Sequence, residues 1–238
     1  MAHNGLISAI VGVESGFLGL LALSSPSGHI EQVIFSAHFV ASAADAKHFP
    51  APSVPEIAFL GRSNVGKSSL INALVGSKIA KTSNTPGRTQ TINFFELRRP
   101  AKPHPEFFFV DLPGYGYARV PTEISARWSL FIDPYLKSRS SLVLCLVLVD
   151  VSIPPQKLDK QLLEWLRHHK KSYLVVGTKS DRVSSNQLRN SLTTIAERLQ
   201  IDTREIIPFS AKSRTGHAQL WSLIRTTVGI TATAQKQD

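Results

Sequence analysis

"GRSNVGKSS", residues 61–69, joins an apolar run typical of a strand to a segment typical of a helix. Gly61, Gly66, Lys67 and Ser68 match the phosphate-loop pattern GxxxxGK[ST] in the structural context that the pattern requires. Gly66 can adopt backbone angles that a side chain would forbid, and successive N–H groups of such a loop point into one anion-binding concavity. The following helix adds its positive N-terminal end. The stretch therefore predicts a nucleotide site rather than a plain glycine-rich turn.

Each part of this loop has a predicted task. Lys67 supplies a mobile charge for the terminal phosphates, and the Ser68 hydroxyl is placed to bind Mg²⁺. The backbone of the remaining residues surrounds the phosphates. The predicted nucleotide contacts in this loop are Gly61, Arg62, Ser63, Asn64, Val65, Gly66, Lys67 and Ser68.

Composition restricts the class of protein. The chain has 238 residues, of which 42% are hydrophobic, so it is globular and large enough for an ample core. Lys and Arg number 27 against 17 Asp and Glu, and the net charge of +10 favours an acidic partner, either nucleic acid or an anionic membrane surface. Cys145 is the only cysteine, which excludes an intrachain disulfide, and its apolar neighbours favour a core position over a nucleophile.

The first residues need separate treatment. The segment 5–25 is apolar, but it lacks a basic start, carries Glu14 and is interrupted by glycines, so it is a poor signal peptide and a poor membrane span. We expect residues 1–32 to form a poorly ordered extension; a targeting segment and a natural start further downstream remain alternatives. The predicted domain then covers residues 33–229, with a tail at 230–238 and no stable membrane insertion.

Strands and helices alternate along the chain, which predicts a three-layer α/β domain with a mostly parallel sheet. A segment at 33–42 is an early strand or an N-terminal arm. The predicted strands lie at 56–60, 91–97, 107–111, 142–150, near 173–178 and near 205–208, and the predicted helices lie at about 67–75, 122–138, 156–169, 188–199 and 218–228.

Three further loops follow predicted strands, where ligands of such sheets bind. The DxxG sequence ends in Gly114, whose N–H can contact the terminal phosphate, while Asp111 can hold the magnesium shell. The TKSD sequence contains Asp181, whose two oxygens can accept from the ring N–H and the amine of guanine, which adenine lacks. The stem of Lys179 can cover the base, and backbone N–H groups near Ala211 can meet the guanine carbonyl. The predicted contacts are Asp111, Leu112, Pro113, Gly114, Thr178, Lys179, Ser180, Asp181, Phe209, Ser210 and Ala211.

The segments "GRSNVGKSSLINAL", "TSNTPGRTQTINFFEL" and "DLPGYGYARV" resemble the EngB (YihA/YsxC) family of bacterial GTPases, over about residues 33–229. The resemblance implies a P-loop GTPase fold and a small cytoplasmic GTPase needed for late assembly of the large ribosomal subunit, with rRNA and ribosomal proteins as partners. It also implies a requirement in normal septation and cell division. The chain departs from the family in its long, proline-rich connection 98–106 and in Thr178, where asparagine is commoner.

The second magnesium ligand depends on the resemblance. From the residues alone, Thr82, Thr85, Thr89 and Thr91 are equal candidates. The resemblance implies Thr89, so that Ser68 and Thr89 form the metal set. The nucleotide contacts that accompany it are Gly87, Arg88, Thr89, Gln90 and Thr91.

Phosphoryl transfer to water needs positioning and charge neutralisation, for which Lys67, Thr89 and Gly114 are the candidate catalytic residues. Tyr115 stands where some GTPases carry a water-orienting glutamine, and phenol is a poor substitute, so we expect slow hydrolysis accelerated by a partner or an ion. Alternatively, Tyr115 and Tyr117 simply pack as hydrophobic residues.

Two further features each have two interpretations. Asn64 either helps to bind K⁺ beside the phosphates, as the resemblance implies, or only ties the loop together. The run RHHKK at 167–171 either complements a helix dipole or contacts RNA.

Two functions from different classes follow from these features. The first is a monomeric GTP-hydrolysing switch that binds GTP, GDP and assembling ribosomes. The second is a GTP-sensing scaffold at the septum. A nucleotide kinase is disfavoured, because the guanine-reading loops are in place and no second substrate lid is evident.

Overall fold

The computed structural model describes residues 35–81, 91–100, 102–115 and 132–230. Its strands are β1 (Ser36–Ala43), β2 (Glu56–Gly61), β3 (Ile92–Arg98), β4 (Phe107–Asp111), β5 (Leu142–Asp150), β6 (Tyr173–Thr178) and β7 (Ile206–Pro208). Its helices are α1 (Lys67–Val75), α2 (Asp133–Ser138), α3 (Lys157–His168), α4 (Ser185–Leu199) and α5 (His217–Thr227). The predicted alternation is confirmed, and β1 occupies most of the segment 33–42 that was expected to be either a strand or an arm.

The strands form one sheet of seven in the order β1-β3-β4-β2-β5-β6-β7. The pairs β1–β3 and β3–β4 are antiparallel and all others are parallel. The carboxyl ends of the five parallel strands therefore lie along one edge, which we call the carboxyl edge. Because β3 runs the other way, it begins there, with Asn93 paired to Asp111.

Helices cover both faces of the sheet, as expected for three layers. Leu162 of α3 and Ile195 of α4 are buried in one cluster, and Leu70 of α1 and Leu220 of α5 are buried in the other. The strand β5 supplies both clusters because its residues alternate between the faces. Its Cys145 is completely buried, and burial raises the pKa of the thiol to about 12, so the predicted core position is confirmed.

Several sequence expectations need adjustment or lie outside the described residues. The helix expected at 122–138 is described only from residue 132, where α2 is a short helix over Asp133–Ser138. Residues 1–32, and the tail apart from residue 230, lie outside the described parts of the chain. Within those parts, no helix is long and apolar enough to cross a membrane.

The proline-rich connection between β3 and β4 lies at the edge opposite the carboxyl edge, because β3 ends and β4 begins there. The run at 167–171 begins with the last two residues of α3 and continues toward the start of β6, at the same opposite edge. Arg167 donates to the carbonyls of Leu199 and Gln200 at 3.0 and 2.9 Å. It therefore satisfies carbonyls at the end of α4 rather than at the end of its own helix, and both interpretations of the run remain predictions.

A buried ionic network holds α2 against the opposite edge. Glu56 is completely buried at the start of β2 and forms an ion pair with Arg139, which follows α2. Glu56 also accepts from Tyr135 at 2.8 Å and from Ser141 at 2.8 Å. Arg139 donates in addition to the carbonyl of Pro50 at 2.7 Å. The Glu56 carboxylate and the Arg139 guanidinium thus have each other and further hydrogen-bond partners, as buried charges require.

This network predicts a large effect of a small change. Glu56→Gln leaves the Arg139 guanidinium buried without its charge partner and should lower the free energy of unfolding by about 3 kcal/mol. Urea denaturation measures this change. Glu164→Gln, which removes the exposed pair with Lys160, is the control and should cost less than about 1 kcal/mol. Equal losses in the two variants would contradict the assigned importance of the buried network.

Candidate nucleotide-binding site

The segment 61–69 joins β2 to α1 as the pattern predicts: it begins with the last residue of β2, forms a loop over residues 62–66 and ends in the first turn of α1. Gly66 precedes α1 with φ 107°, a left-handed conformation that side chains rarely adopt, so glycine is required at this position. The turn is closed by the Val65 N–H, which donates to the Arg62 carbonyl at 3.2 Å. Lys67 and Ser68 then lie in the first turn of α1, where free backbone N–H groups and the helix dipole favour an anion.

Lys67 and Asp111 bring opposite charges together at the carboxyl edge. Burial lowers the pKa of the Lys67 ammonium, and the attraction of Asp111 offsets part of this effect. Burial likewise raises the pKa of Asp111, which is only 4% exposed, against the attraction of Lys67. Its Oδ1 atom is buried without a hydrogen-bond partner in the described residues. A water molecule bound to Mg²⁺ is the kind of donor that this oxygen can accept from, so the site fits the predicted metal.

The DxxG loop packs directly on the phosphate loop. A Cβ atom on Gly114 would lie 2.9 Å from the Cα and N atoms of Ser63, which only glycine avoids, and 3.2 Å from the Lys67 amine. The Ser63 N–H donates to the Tyr115 carbonyl at 2.9 Å, and the Tyr115 N–H donates to the Gly61 carbonyl at 3.3 Å. The predicted phosphate-contacting glycine is therefore next to the predicted phosphate-binding lysine.

The side chain of Tyr115 is engaged elsewhere. It is 6% exposed, and its hydroxyl donates to Asp159 Oδ1 of α3 at 2.8 Å. Burial, with Asp159 adding to it, raises the pKa of this phenol well above its ordinary value. The packing interpretation of Tyr115 agrees with this arrangement, whereas a water-orienting role does not. Tyr117 lies outside the described residues.

The TKSD loop is tied to the phosphate loop through Thr178. Its buried hydroxyl donates to the Val65 carbonyl at 2.7 Å and lies 3.1 Å from the Val149 carbonyl. Threonine thus supplies a donor between the two loops, as the amide of an asparagine could at the same position. The phosphate and base regions are held in one fixed relation.

Asp181 is oriented by the next loop. Its Oδ1 accepts from the Ser210 hydroxyl at 2.6 Å, and this hydroxyl accepts in turn from the N–H groups of Lys212 and Ser213 at 3.1 and 3.0 Å. The Ser210 hydrogen bond lowers the pKa of the Asp181 carboxyl, so it is ionised at neutral pH. An exposed, ionised carboxylate can accept from the two donors of guanine.

Lys179 forms an ion pair that the sequence analysis did not single out. Its Nζ atom lies 2.5 Å from Oδ2 of Asp150, the last residue of β5. Asn64 is exposed, has a left-handed backbone with φ 63°, and lies beside the pair on the wall of a cavity of about 260 Å³. Two acids that the sequence patterns do not single out, Asp150 and Asp159, line this cavity, and the position of Asp150 at a strand end is the sequence signal that could have identified it.

Most predicted residues lie on loops that meet at the carboxyl edge. Those described there are Gly61, Arg62, Ser63, Asn64, Val65, Gly66, Lys67, Ser68, Asp111, Leu112, Pro113, Gly114, Thr178, Lys179, Ser180, Asp181, Phe209, Ser210 and Ala211. Thr91 precedes β3 at this edge, and its hydroxyl accepts from Ser42 of β1 at 2.6 Å. Gly87, Arg88, Thr89 and Gln90 lie outside the described residues, so the second magnesium ligand remains a prediction.

Comparison with known proteins identifies this arrangement. The family model described as "50S ribosome-binding GTPase" matches residues 56–179. A "Probable GTP-binding protein EngB" of Koribacter versatilis is 65% identical over 196 residues, which cover 82% of this chain and 96% of the relative. The corresponding protein of Acidobacterium capsulatum is 51% identical over 84% of this chain and 94% of its own length.

Solved structures agree on the fold. The crystal structure of a probable GTP-binding protein EngB has a TM-score of 0.57 at 23% identity and covers 74% of this chain and 100% of its own. The structure of a single-residue variant of Aquifex aeolicus Era bound to GDP and AlF₄⁻ has a TM-score of 0.58 at 21% identity, over 74% of this chain and 57% of its own. With the phosphate loop, the DxxG loop and the base loops in these positions, the chain belongs to the EngB family of GTP-binding proteins and is a GTPase.

Proposed function

We propose that this GTPase is a slow GTP/GDP switch in assembly of the large ribosomal subunit, and that normal cell division and septation require it. It acts as a monomer in the cytoplasm. The observation that carries the nucleotide part is the meeting of Lys67, Asp111 and Asp181 on fixed loops at one sheet edge. The ribosomal part is supported by the description of the matching family model and by the net charge of +10.

Nucleotide binding follows from the residues in order. The Gly66 turn and the start of α1 direct N–H groups at the phosphates, and Lys67 neutralises the terminal ones. The Gly114 N–H contacts the last phosphate, and its proximity to the Lys67 amine supports this role. Asp181 accepts from the guanine ring N–H and amine, which selects guanine over adenine.

The metal belongs to the same proposal. Ser68 and Thr89 would hold Mg²⁺, and Oδ1 of Asp111, which has no hydrogen-bond partner among the described residues, would be available to accept from a water molecule on the ion. Bound there, Mg²⁺ would supply part of the neutralisation of negative charge on the phosphates. Lys67 adds its own charge from the protein side, because its buried ammonium faces Asp111 at the same place.

Slow turnover follows from the position of Tyr115. Its hydroxyl is committed to Asp159, so the side chain does not orient a water molecule at the phosphate. Faster hydrolysis then depends on an additional cation or on a partner protein. K⁺ beside Asn64 is our proposal for that cation, supported by the exposed position of this amide on the phosphate loop.

Base recognition predicts a change of specificity. Asp181→Asn should weaken GTP binding by about 100-fold and favour xanthosine triphosphate, because the amide offers a donor to the xanthine oxygen. Calorimetry with both nucleotides measures the change. Asp202→Asn, an exposed acid before β7 at the opposite edge, is the control and should bind GTP normally. Unchanged guanine preference in Asp181→Asn would mean that another group selects the base.

The potassium proposal predicts an ion-dependent rate. GTP turnover of the unmodified protein should be faster in K⁺ than in Na⁺ at equal ionic strength, because a loose cage of amide and carbonyl oxygens suits the larger ion. Asn64→Ala should lose the difference while GDP affinity stays within about twofold, since the backbone of the loop holds the phosphates. Equal rates in both salts would remove K⁺ from the mechanism.

The ribosomal role predicts binding that depends on both salt and nucleotide. Co-sedimentation with large-subunit precursor particles should decrease steeply as salt rises, because neutralised RNA phosphates release counterions. It should also differ between a non-hydrolysable GTP analogue and GDP, because GTPase switch segments reorder with the terminal phosphate. Lys67→Ala, which loses nucleotide binding, should lose only the nucleotide dependence. Indifference to both salt and nucleotide would favour the scaffold alternative.

A further inference from the structure

Asp150 and Lys179 lie at the ends of two neighbouring strands. In the parallel pair β5–β6, Asp150 is opposite Thr178, so Lys179 is the first residue beyond the ladder. The Asp150 Oδ2–Lys179 Nζ distance is 2.5 Å, and the two side chains are 10% and 22% exposed. Thr178, the residue before Lys179, donates to the Val65 carbonyl of the phosphate loop, and Asp181 of the base loop follows two residues after Lys179. The ion pair therefore lies between these two loops.

Lys179 is constrained at both of its ends. Its backbone is left-handed, with φ 60° and ψ 32°, and it directs the chain into the short 3₁₀ helix Ser180–Arg182. Its carbonyl accepts from the Arg182 N–H at 2.9 Å, which fixes the start of the side chain. Asp150 fixes the amine. A free lysine side chain samples many rotamers. The four methylene groups of Lys179 sample few, because its backbone and its amine are both held in place.

Asp150 is itself unable to rotate away. Its other oxygen, Oδ1, accepts from the Ser152 N–H at 2.9 Å and from the Ser152 hydroxyl at 2.5 Å. Burial alone would raise the pKa of this carboxyl, but the hydrogen bonds from Lys179 and Ser152 outweigh burial and hold the pKa below its ordinary value. Asp150 is therefore an ionised carboxylate at neutral pH, with one oxygen for the turn and one for the lysine.

From this geometry we infer that Asp150 is a positioning residue for guanine binding, which holds the stem of Lys179 in place to cover the base before the nucleotide arrives. The inference rests on the proposed guanine-nucleotide site and on the sequence prediction that the stem of Lys179 covers the base. A ligand group that is already ordered when binding begins loses less conformational entropy, so the ion pair strengthens binding without touching the nucleotide. The lysine stem contacts the face of the ring. The gain in nucleotide affinity from the ion pair therefore does not depend on the groups along the edge of the base.

The decisive variant is Asp150→Asn, which retains an acceptor for Ser152 and removes the charge that holds Lys179. We expect it to bind GDP about tenfold more weakly, the order expected for the loss of one charge-assisted hydrogen bond. Inosine diphosphate lacks the amine that Asp181 reads, but it has the same ring face. The variant should therefore bind inosine diphosphate more weakly by the same factor, so the ratio of the GDP and inosine diphosphate affinities should equal that of the unmodified protein.

Two comparisons complete the experiment. In Lys179→Met, which lacks the amine, adding Asp150→Asn should cause no further loss of GDP affinity, because the two residues act as one unit. Glu106 is the control acid: its side chain is 10% exposed, like that of Asp150, and it forms an ion pair with Arg99 at the opposite edge of the sheet. Glu106→Gln should leave the affinities for both nucleotides unchanged. Calorimetry or displacement of a fluorescent GDP gives each constant.

The outcomes separate this inference from the proposed function. Failure of the unmodified protein to bind GDP would reject the proposed function. If that protein binds GDP and Asp150→Asn binds it within about twofold as well, the positioning role is wrong. Additive losses in the double variant would also overturn it. A changed ratio of GDP to inosine diphosphate affinity would show that Asp150 supports the position of Asp181 instead, which contradicts the inference.

Discussion

The parallel pairing of β2 with both β4 and β5 brings together the loops that form the phosphate part of the site. Those two ladders place the ends of three strands side by side, so the phosphate loop, the DxxG loop and the Asp150 turn emerge together. The pairing of β5 with β6 adds the base loop next to them. A slip of register in any of these ladders would move a loop relative to the others, and the bond between Thr178 and Val65 would not form.

Buried charged side chains lie at the carboxyl edge, although the protein interior usually excludes them. Lys67 and Asp111 are both shifted toward their neutral forms by burial, and each offsets part of the other's shift. At the opposite edge, Glu56 and Arg139 are a fully satisfied buried pair. The contrast is informative, because Asp111 retains an oxygen without a partner in the described residues while Glu56 has donors on both oxygens. Incomplete satisfaction of a buried acid is typical of a site that binds a ligand.

Much of this arrangement could be predicted from the sequence. The phosphate loop has a local signature, and the continuous apolar run of β5 identifies a strand covered on both faces. Contacts between distant segments could not be predicted in this way. The phenol of Tyr115 bonds to Asp159, 44 residues away, and periodicity in α3 shows an acid in the first turn without showing what it accepts. Asp150 likewise resembles any acid at a strand end until the register of β5 and β6 is known.

Competition binding on the unmodified protein determines whether the carboxyl edge of the sheet selects guanine nucleotides. A fluorescent GDP is bound in the presence of Mg²⁺ and displaced in turn by GDP, GTP, ADP and ATP. We expect displacement by both guanine nucleotides, with adenine nucleotides weaker by about 1,000-fold or more, because adenine leaves the Asp181 carboxylate without its two donors. Displacement by ATP at the same concentration as GTP would show that this edge does not select guanine.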